Sequence, residues 1–152
     1  MEIGGETFIL KQEAAARAQV HPGTMHRWLA SAMTSNGWPV RSMQCLTTRR
    51  YYIEKQSLSR LVNRFRSIPN GLPVEVSIHP FGEETEENLY FSTPEAAKLV
   101  GVHPNAMQRW ARRGETFRGT RLQAVQDAIS KHYYVSKNSI DLLTGSSARE
   151  LA

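Results

Sequence analysis

Between residues 92 and 114, apolar side chains recur at helical spacing in two short runs. Ala96, Ala97, Leu99 and Val100 make an apolar face over about two turns, and Met107, Trp110 and Ala111 follow at i, i+3 and i+4. Ser92-Thr93-Pro94-Glu95 is a helix start, with a hydroxyl cap, a proline in the first turn and an acid near the positive end. Gly101 supplies the left-handed stop. A second helix opens after His103 with Pro104 at its first position, and Gly114 ends it. Two helices about three residues apart, with Ala96-Ala97 allowing close crossing and Val102 in the corner, predict a helix-turn-helix. The same pattern upstream predicts helices over Lys11–Ala18 and Pro22–Ser31, with Met25, Trp28 and Leu29 inward and Val20 in the corner.

Downstream of each pair, the pattern predicts a two-stranded hairpin. Its strands are Val40–Leu46 and Arg50–Lys55 around Thr47-Thr48-Arg49, then Leu122–Ala128 and His132–Lys137. Leu122–Ile129 also fits a short helix. Closing helices are expected over Gln56–Arg66 and Asn138–Leu143.

The two halves are copies. Glu13-Ala14-Ala15, Val20-His21-Pro22, Met25, Arg27 and Trp28 return 82 positions later as Glu95-Ala96-Ala97, Val102-His103-Pro104, Met107, Arg109 and Trp110. Tyr51-Tyr52-Ile53 meets Tyr133-Tyr134-Val135 in the same register, with no gap from residue 13 to residue 58. A duplicated domain presents two similar surfaces, which favours a repetitive partner.

Length changes the picture little: 152 residues allow two units of roughly 60, each with a limited core. The connector 67–88 is rich in proline, glycine and glutamate. A short strand is expected where Val74, Val76 and Ile78 alternate, and Glu83–Glu87 is expected to be a solvated tether. Charge changes more. Residues 1–66 carry +6, 67–88 carry −5 and 89–152 carry +4, making the total +5. Two basic modules around an acidic connector favour a polyanion, of which nucleic acid is the commonest. The lone cysteine, Cys45, excludes an internal disulfide and a thiolate metal cage and fits a reducing compartment; a buried mid-strand thiol is expected. No apolar run approaches the roughly 18 residues of a membrane span and no signal peptide is visible, so a soluble, cytoplasmic protein without membrane partners is expected.

Ser92-Thr93-Pro94-Glu95-Ala96-Ala97, Gly101-Val102, Met107-Gln108-Arg109-Trp110 and Arg113-Gly114 resemble the start of an excisionase or MerR-type DNA-binding domain. Arg49-Arg50-Tyr51-Tyr52 and Lys55-Gln56-Ser57-Leu58 resemble that family's wing strand and following helix. The stretches Trp28 to Tyr51 and Trp110 to Tyr133 are longer than the usual family spacing. The resemblance implies a fold that is mainly α with small β-hairpin wings, as tandem duplicated winged helix-turn-helix domains. These occupy 1–66 and 89–145, with an acidic linker over 67–88 and a flexible tail over 146–152.

In such a domain the second helix enters the major groove, where base edges are distinguishable. The side chains facing away from Met25 and Trp28 are Thr24, His26 and Arg27; their counterparts include Asn105, Gln108 and Arg109. Arginine and glutamine form bidentate contacts with guanine and adenine, although Arg27 and Arg109 could equally hold phosphate. Arg49 and Arg50, with Lys131 and His132, stand at the wing turns where cations reach phosphate or a narrow minor groove. Arg112 and Arg113 close the second helix of the second copy, where they contact DNA backbone or offset the helix dipole.

No enzyme is expected: there is no glycine-rich phosphate loop, no paired carboxylates and no nucleophile with a base. His21 and His103 each precede a proline at a helix start, where imidazole caps or packs, and no metal or cofactor is expected. The expected partner is double-stranded DNA, read as two unlike half-sites by a covalent pseudo-dimer; chains assembling further along DNA stays open. Transcriptional regulation is the expected output. The alternatives are excisionase-like recombination directionality or an architectural role on mobile DNA, and an adaptor with one DNA-binding and one protein-binding copy.

Overall fold

The structure, a computed structural model, describes the backbone of residues 1–151 and the side chains of residues 1–145. The flexible tail expected over 146–152 lies outside the fully described residues. The chain divides into two compact units, Met1–Arg64 and Phe65–Ala152.

Unit 1 runs β1 (Glu2–Ile3), β2 (Glu6–Leu10), α1 (Lys11–Ala18), α2 (Pro22–Ser31), β3 (Ser42–Gln44), β4 (Tyr51–Glu54) and α3 (Lys55–Val62). Unit 2 runs β5 (Phe65–Ser67), β6 (Ser77–Ile78), β7 (Leu89–Ser92), α4 (Thr93–Val100), α5 (Pro104–Arg113), β8 (Ala124–Asp127), β9 (Tyr133–Ser136) and α6 (Lys137–Leu151). Helices α1, α2, α4 and α5 occupy the stretches that the apolar spacing predicts. The duplication extends to every shared element. Lys11 and Thr93, Pro22 and Pro104, Ser42 and Ala124, Tyr51 and Tyr133, and Lys55 and Lys137 open equivalent elements at the same 82-residue offset.

The expectation of a mainly α fold is overturned. The chain is α/β, 37% helical and 25% strand, with two curled sheets of four and five strands. Their orders are β1-β2-β4-β3 and β5-β8-β9-β7-β6. The missed strand is the one before each first helix. β2 pairs antiparallel with β4 (Ile9 opposite Ile53), and β7 pairs with β9 in the same way (Phe91 opposite Val135). Thr7-Phe8-Ile9-Leu10 and Leu89-Tyr90-Phe91 are runs without alternation, because both faces of the central sheet are covered and period-2 patterning disappears. Leu122–Ile129 does not form a helix; Ala124–Asp127 is a strand paired with β9.

Residues 67–88 also depart from expectation. Instead of a linker they are built into unit 2 together with Phe65 and Arg66, the expected end of the closing helix: β5 adds to β8 on one edge and β6 adds parallel to β7 on the other. The physical reason lies in strand alternation. Leu89, Phe91, Ala124 and Val135 face the helices, packing with Ala96, Ala97, Met107, Ala111 and Ile140. Tyr90 and Val125 belong to a second cluster with Phe65, Val76 and Ile78, with Tyr134 packed against it. An apolar second face must be covered, and the connector covers it. Burial there pushes the Tyr90 phenol above its ordinary value. The closing helix α3 therefore stops at Val62 rather than Arg66, and only Glu83–Glu87 remains an exposed acidic loop.

The helix ends show why the frame is reproducible. His21 Nδ1 accepts from Gly23 N–H at 3.0 Å, and His103 Nδ1 from Asn105 N–H at 3.1 Å, so each imidazole is an N-cap with its proton on Nε2. Gln19 and Gly101 end the first helices, and Ala32 and Gly114 the second, all left-handed. The buried Arg64 guanidinium donates to the Ala18 and Leu61 carbonyls, both at 2.7 Å, so one cation counted toward the basic surface serves two helix ends instead. No helix among the described residues is long and apolar enough to cross a membrane.

Candidate nucleic-acid interface

Each second helix buries one stripe and exposes the other. Met25, Trp28 and Leu29 are buried on α2; Met107 and Ala111 are buried on α5, with Trp110 half-buried. The opposite stripes carry the candidate side chains. On α2, His26 and Arg27 are exposed and Thr24 is half-buried, with Arg27 Nη2 donating to Thr24 Oγ1 at 3.2 Å. On α5, Asn105, Gln108, Arg109, Arg112 and Arg113 are all exposed.

The hairpin turns are built alike in both units. In unit 1 the Arg49 N–H donates to the Cys45 carbonyl at 2.7 Å, and in unit 2 Lys131 N–H donates to Asp127 at 2.8 Å. Gln44 and Gln126 each donate a side-chain amide to the carbonyl of that same cation, at 3.1 Å in both cases. Arg49 and Lys131 both sit left-handed, with φ of 61° and 66°. A side chain with a Cβ is disfavoured there by about 1–2 kcal/mol, and glycine is not. Both copies nonetheless keep a cation at the position. Arg49→Gly is therefore expected to stabilise unit 1 by about 1 kcal/mol in thermal or denaturant unfolding. A fall in stability would show that the arginine side chain holds the turn instead.

In unit 1 the structure brings three of the candidates together. His26, Arg49 and Arg50 line one hollow of about 250 Å³, together with Lys11, Gln12 and Tyr51. His26 stacks edge-on against Tyr51 at 5.1 Å, and Lys11 Nζ lies 3.3 Å from His26 Nδ1. Three cationic side chains and an imidazole around one concavity suit an anion such as a phosphate. Sequence reasoning missed Lys11 and Tyr51. Lys11 stands where the other copy has Thr93, so the repeat gave no signal for it, and Tyr51 looked like an ordinary strand residue. In unit 2 Lys131 and His132 are exposed on the hairpin, while the cations concentrate on α5. The charge thus moves from hairpin to helix between copies.

The extra length after each second helix forms a closed loop. Met33 bridges Pro39 and Glu115 bridges Arg121, and inside each loop a threonine amide donates to the residue four positions on (Thr34 to Trp38, Thr116 to Thr120). Trp38, an odd residue in the repeat, is half-buried within this loop.

Cys45 is not the buried mid-strand thiol expected. It lies just beyond β3, half-exposed, at the start of the hairpin turn. Its counterpart Asp127 accepts from the Ile129 and Ser130 amides at 2.8 and 3.3 Å through Oδ1. The sulfur takes the same place: hydrogen bonds from the Thr48 hydroxyl and from the Thr48 and Thr47 amides favour the thiolate and lower its pKa. A depressed folded value means the hairpin gains stability as pH rises past it, holds it in full above the unfolded value, and loses it as pH falls again. Alkylation of Cys45 is expected to reach half its alkaline rate at a lower pH in the folded protein than in the unfolded chain. Thr48→Val should move that midpoint upward; an unchanged midpoint would remove the hydroxyl from the account.

Among the described residues no three His, Cys, Asp or Glu side chains converge as metal ligands would. Compared with family models, with curated proteins and with solved structures, the chain matches none, so its likeness to excisionase and MerR-type domains rests on the residues quoted above.

Proposed function

We propose that this chain is a sequence-specific double-stranded DNA-binding protein acting as a covalent pseudo-dimer, a transcriptional regulator of the cytoplasm. In this reading α2 and α5 each enter a major groove, and the hairpin cations hold phosphate or the neighbouring minor groove. One observation carries the proposal. Two copies of one frame keep the inward methionine and tryptophan and the capping His-Pro start of the second helix, while its exposed stripe differs. Met25 and Trp28 return as Met107 and Trp110, whereas Thr24, His26, Ala30 and Ser31 become Ala106, Gln108, Arg112 and Arg113. Other positions differ too, among them Ala16, Arg17 and Leu29 against Lys98, Leu99 and Ala111, but this stripe is the face that a helix-turn-helix turns to the major groove. Arg27 and Arg109 are the cations common to both stripes. Unlike stripes on like frames fit two unlike half-sites, and the linkage raises affinity through effective concentration.

Selection of bound duplexes from a random pool by the whole chain tests this. The expected result is a bipartite motif with two different halves, bound with an affinity that falls steeply with salt. Enrichment of no motif, or an affinity indifferent to salt, would overturn the reading. Tandem motifs among the selected duplexes would reveal chains assembling along DNA.

A further inference from the structure

Unit 2 contains a cavity of about 600 Å³ that the DNA reading does not use. Ligand pockets typically span roughly 300–1,000 Å³. Its apolar floor is Phe91 from β7, Leu99 from α4 and Ile140 from α6. One wall is the segment ahead of β7 that carries His79 and Glu84. There His79 stacks on Phe91, with ring centroids 4.9 Å apart, and its Nδ1 lies 2.8 Å from Glu95 Oε2. The lip is fastened by Lys137 Nζ, which donates to the Glu84 carbonyl at 2.9 Å. His79 and Glu95 thus occupy each other, and Lys137 occupies the Glu84 carbonyl, so the wall is held in place.

Three charged side chains remain: Lys98 and the carboxylates of Asp141 and Glu84 line the cavity, and none of these three side chains makes a hydrogen bond or ion pair among the described residues.

The first copy is an internal control for this face. Where unit 2 has Lys98, Leu99 and Asp141, unit 1 has Ala16, Arg17 and Ser59. Arg17 spans to Glu13 at 2.6 Å, an ordinary solvated helix pair. The counterpart of Glu13 is Glu95, which is turned to His79 instead, and Leu99 is left 53% exposed. The duplicated frame has therefore exchanged a polar helix surface for an apolar floor flanked on the helices by the Lys98 cation and the Asp141 anion.

We propose that this cavity binds a small zwitterion with an apolar body, the chemistry shared by a free apolar amino acid and a short apolar peptide. Lys98 takes the carboxylate, Asp141 takes the ammonium, and the apolar body covers Phe91, Leu99 and Ile140. The assignment is independent of DNA binding and is tested without DNA.

The experiment is calorimetric titration of the whole protein with L-leucine, L-phenylalanine and leucyl-phenylalanine, beside N-acetyl-phenylalaninamide, which lacks both charges. Saturable binding of at least one zwitterion and none of the neutral analogue is expected. The amino-acid and dipeptide arms then show which source the site takes. Lys98→Met and Asp141→Asn should each weaken binding by about tenfold or more, as loss of a charge-assisted hydrogen bond does. Leu99→Arg, which restores the residue of the first copy, should abolish binding while leaving the melting temperature close to that of the parent. Saturation by none of the three zwitterions, equal binding of the neutral analogue, or variants that bind as the parent does would each overturn the proposal.

Discussion

Replacing Phe65 by alanine is expected to cost about 3–5 kcal/mol, the loss typical of a large aromatic removed from a core. Phe65 is fully buried although it opens the stretch between the copies. It packs with Val76, Ile78, Tyr90 and Val125, and its ring meets Tyr134 edge-on at 5.9 Å. A domain of this size has a total stability of roughly 5–10 kcal/mol, so the loss takes much of it. In a domain of 60–100 residues each kcal/mol shifts the melting temperature by about 4–8 °C, which makes the expected shift about 12–40 °C. Unit 2 should melt first in calorimetry, and Tyr90 should titrate nearer its ordinary value as its ring becomes wet. A connector that merely spans solvent would tolerate the same change within about 0.5 kcal/mol. A melting profile that matches the parent would therefore remove Phe65 from the apolar cluster that anchors the connector on unit 2.

The second large effect concerns DNA and belongs to the proposed function. Arg27→Ala and Arg109→Ala are each expected to weaken duplex binding by ten- to a hundredfold, about 1–3 kcal/mol, if the guanidinium reads a base edge. Should it hold phosphate, the loss would be similar on every sequence, and the slope of log affinity against log salt would fall by about one unit. Both side chains are exposed, so stability should stay within about 0.5 kcal/mol of the parent. Titrating the selected duplex and a scrambled one at several salt concentrations separates the two roles. Parent-like affinity in both single variants would remove α2 and α5 from the interface. The Arg49→Gly variant adds a contrast: a more stable turn joined to weaker DNA binding would show that the left-handed cation is kept for its contact.

Much of the frame was legible because its signals are local. Pro104 after a capping His103, Gly101 and Gly114 as stops, and Met107 with Ala111 on one stripe are statements about neighbours within a turn or two. Backbone sterics enforce these whatever the rest of the chain does. The strand before each first helix escaped because it is defined by its partner. Phe8-Ile9-Leu10 has no period of its own and becomes a strand only when β4 lies beside it. The same is true of the connector, whose glutamates and prolines suggest solvent until the apolar back of the sheet is known. In the candidate site, exposure of the second-helix stripe followed from periodicity. Lys11 and Tyr51 joined it only through folding, because a hollow between helix and hairpin exists in no linear pattern.

From the chain alone came the duplication with its 82-residue register, the limits of the first two helices in each copy, and which side of each second helix faces water, because each depends on spacing along the backbone. The tertiary structure alone decided the sheets, the folding of the acidic connector onto unit 2, and the cavity that the connector walls. Those depend on which distant surfaces need covering, and that is a property of assembled faces rather than of neighbouring residues.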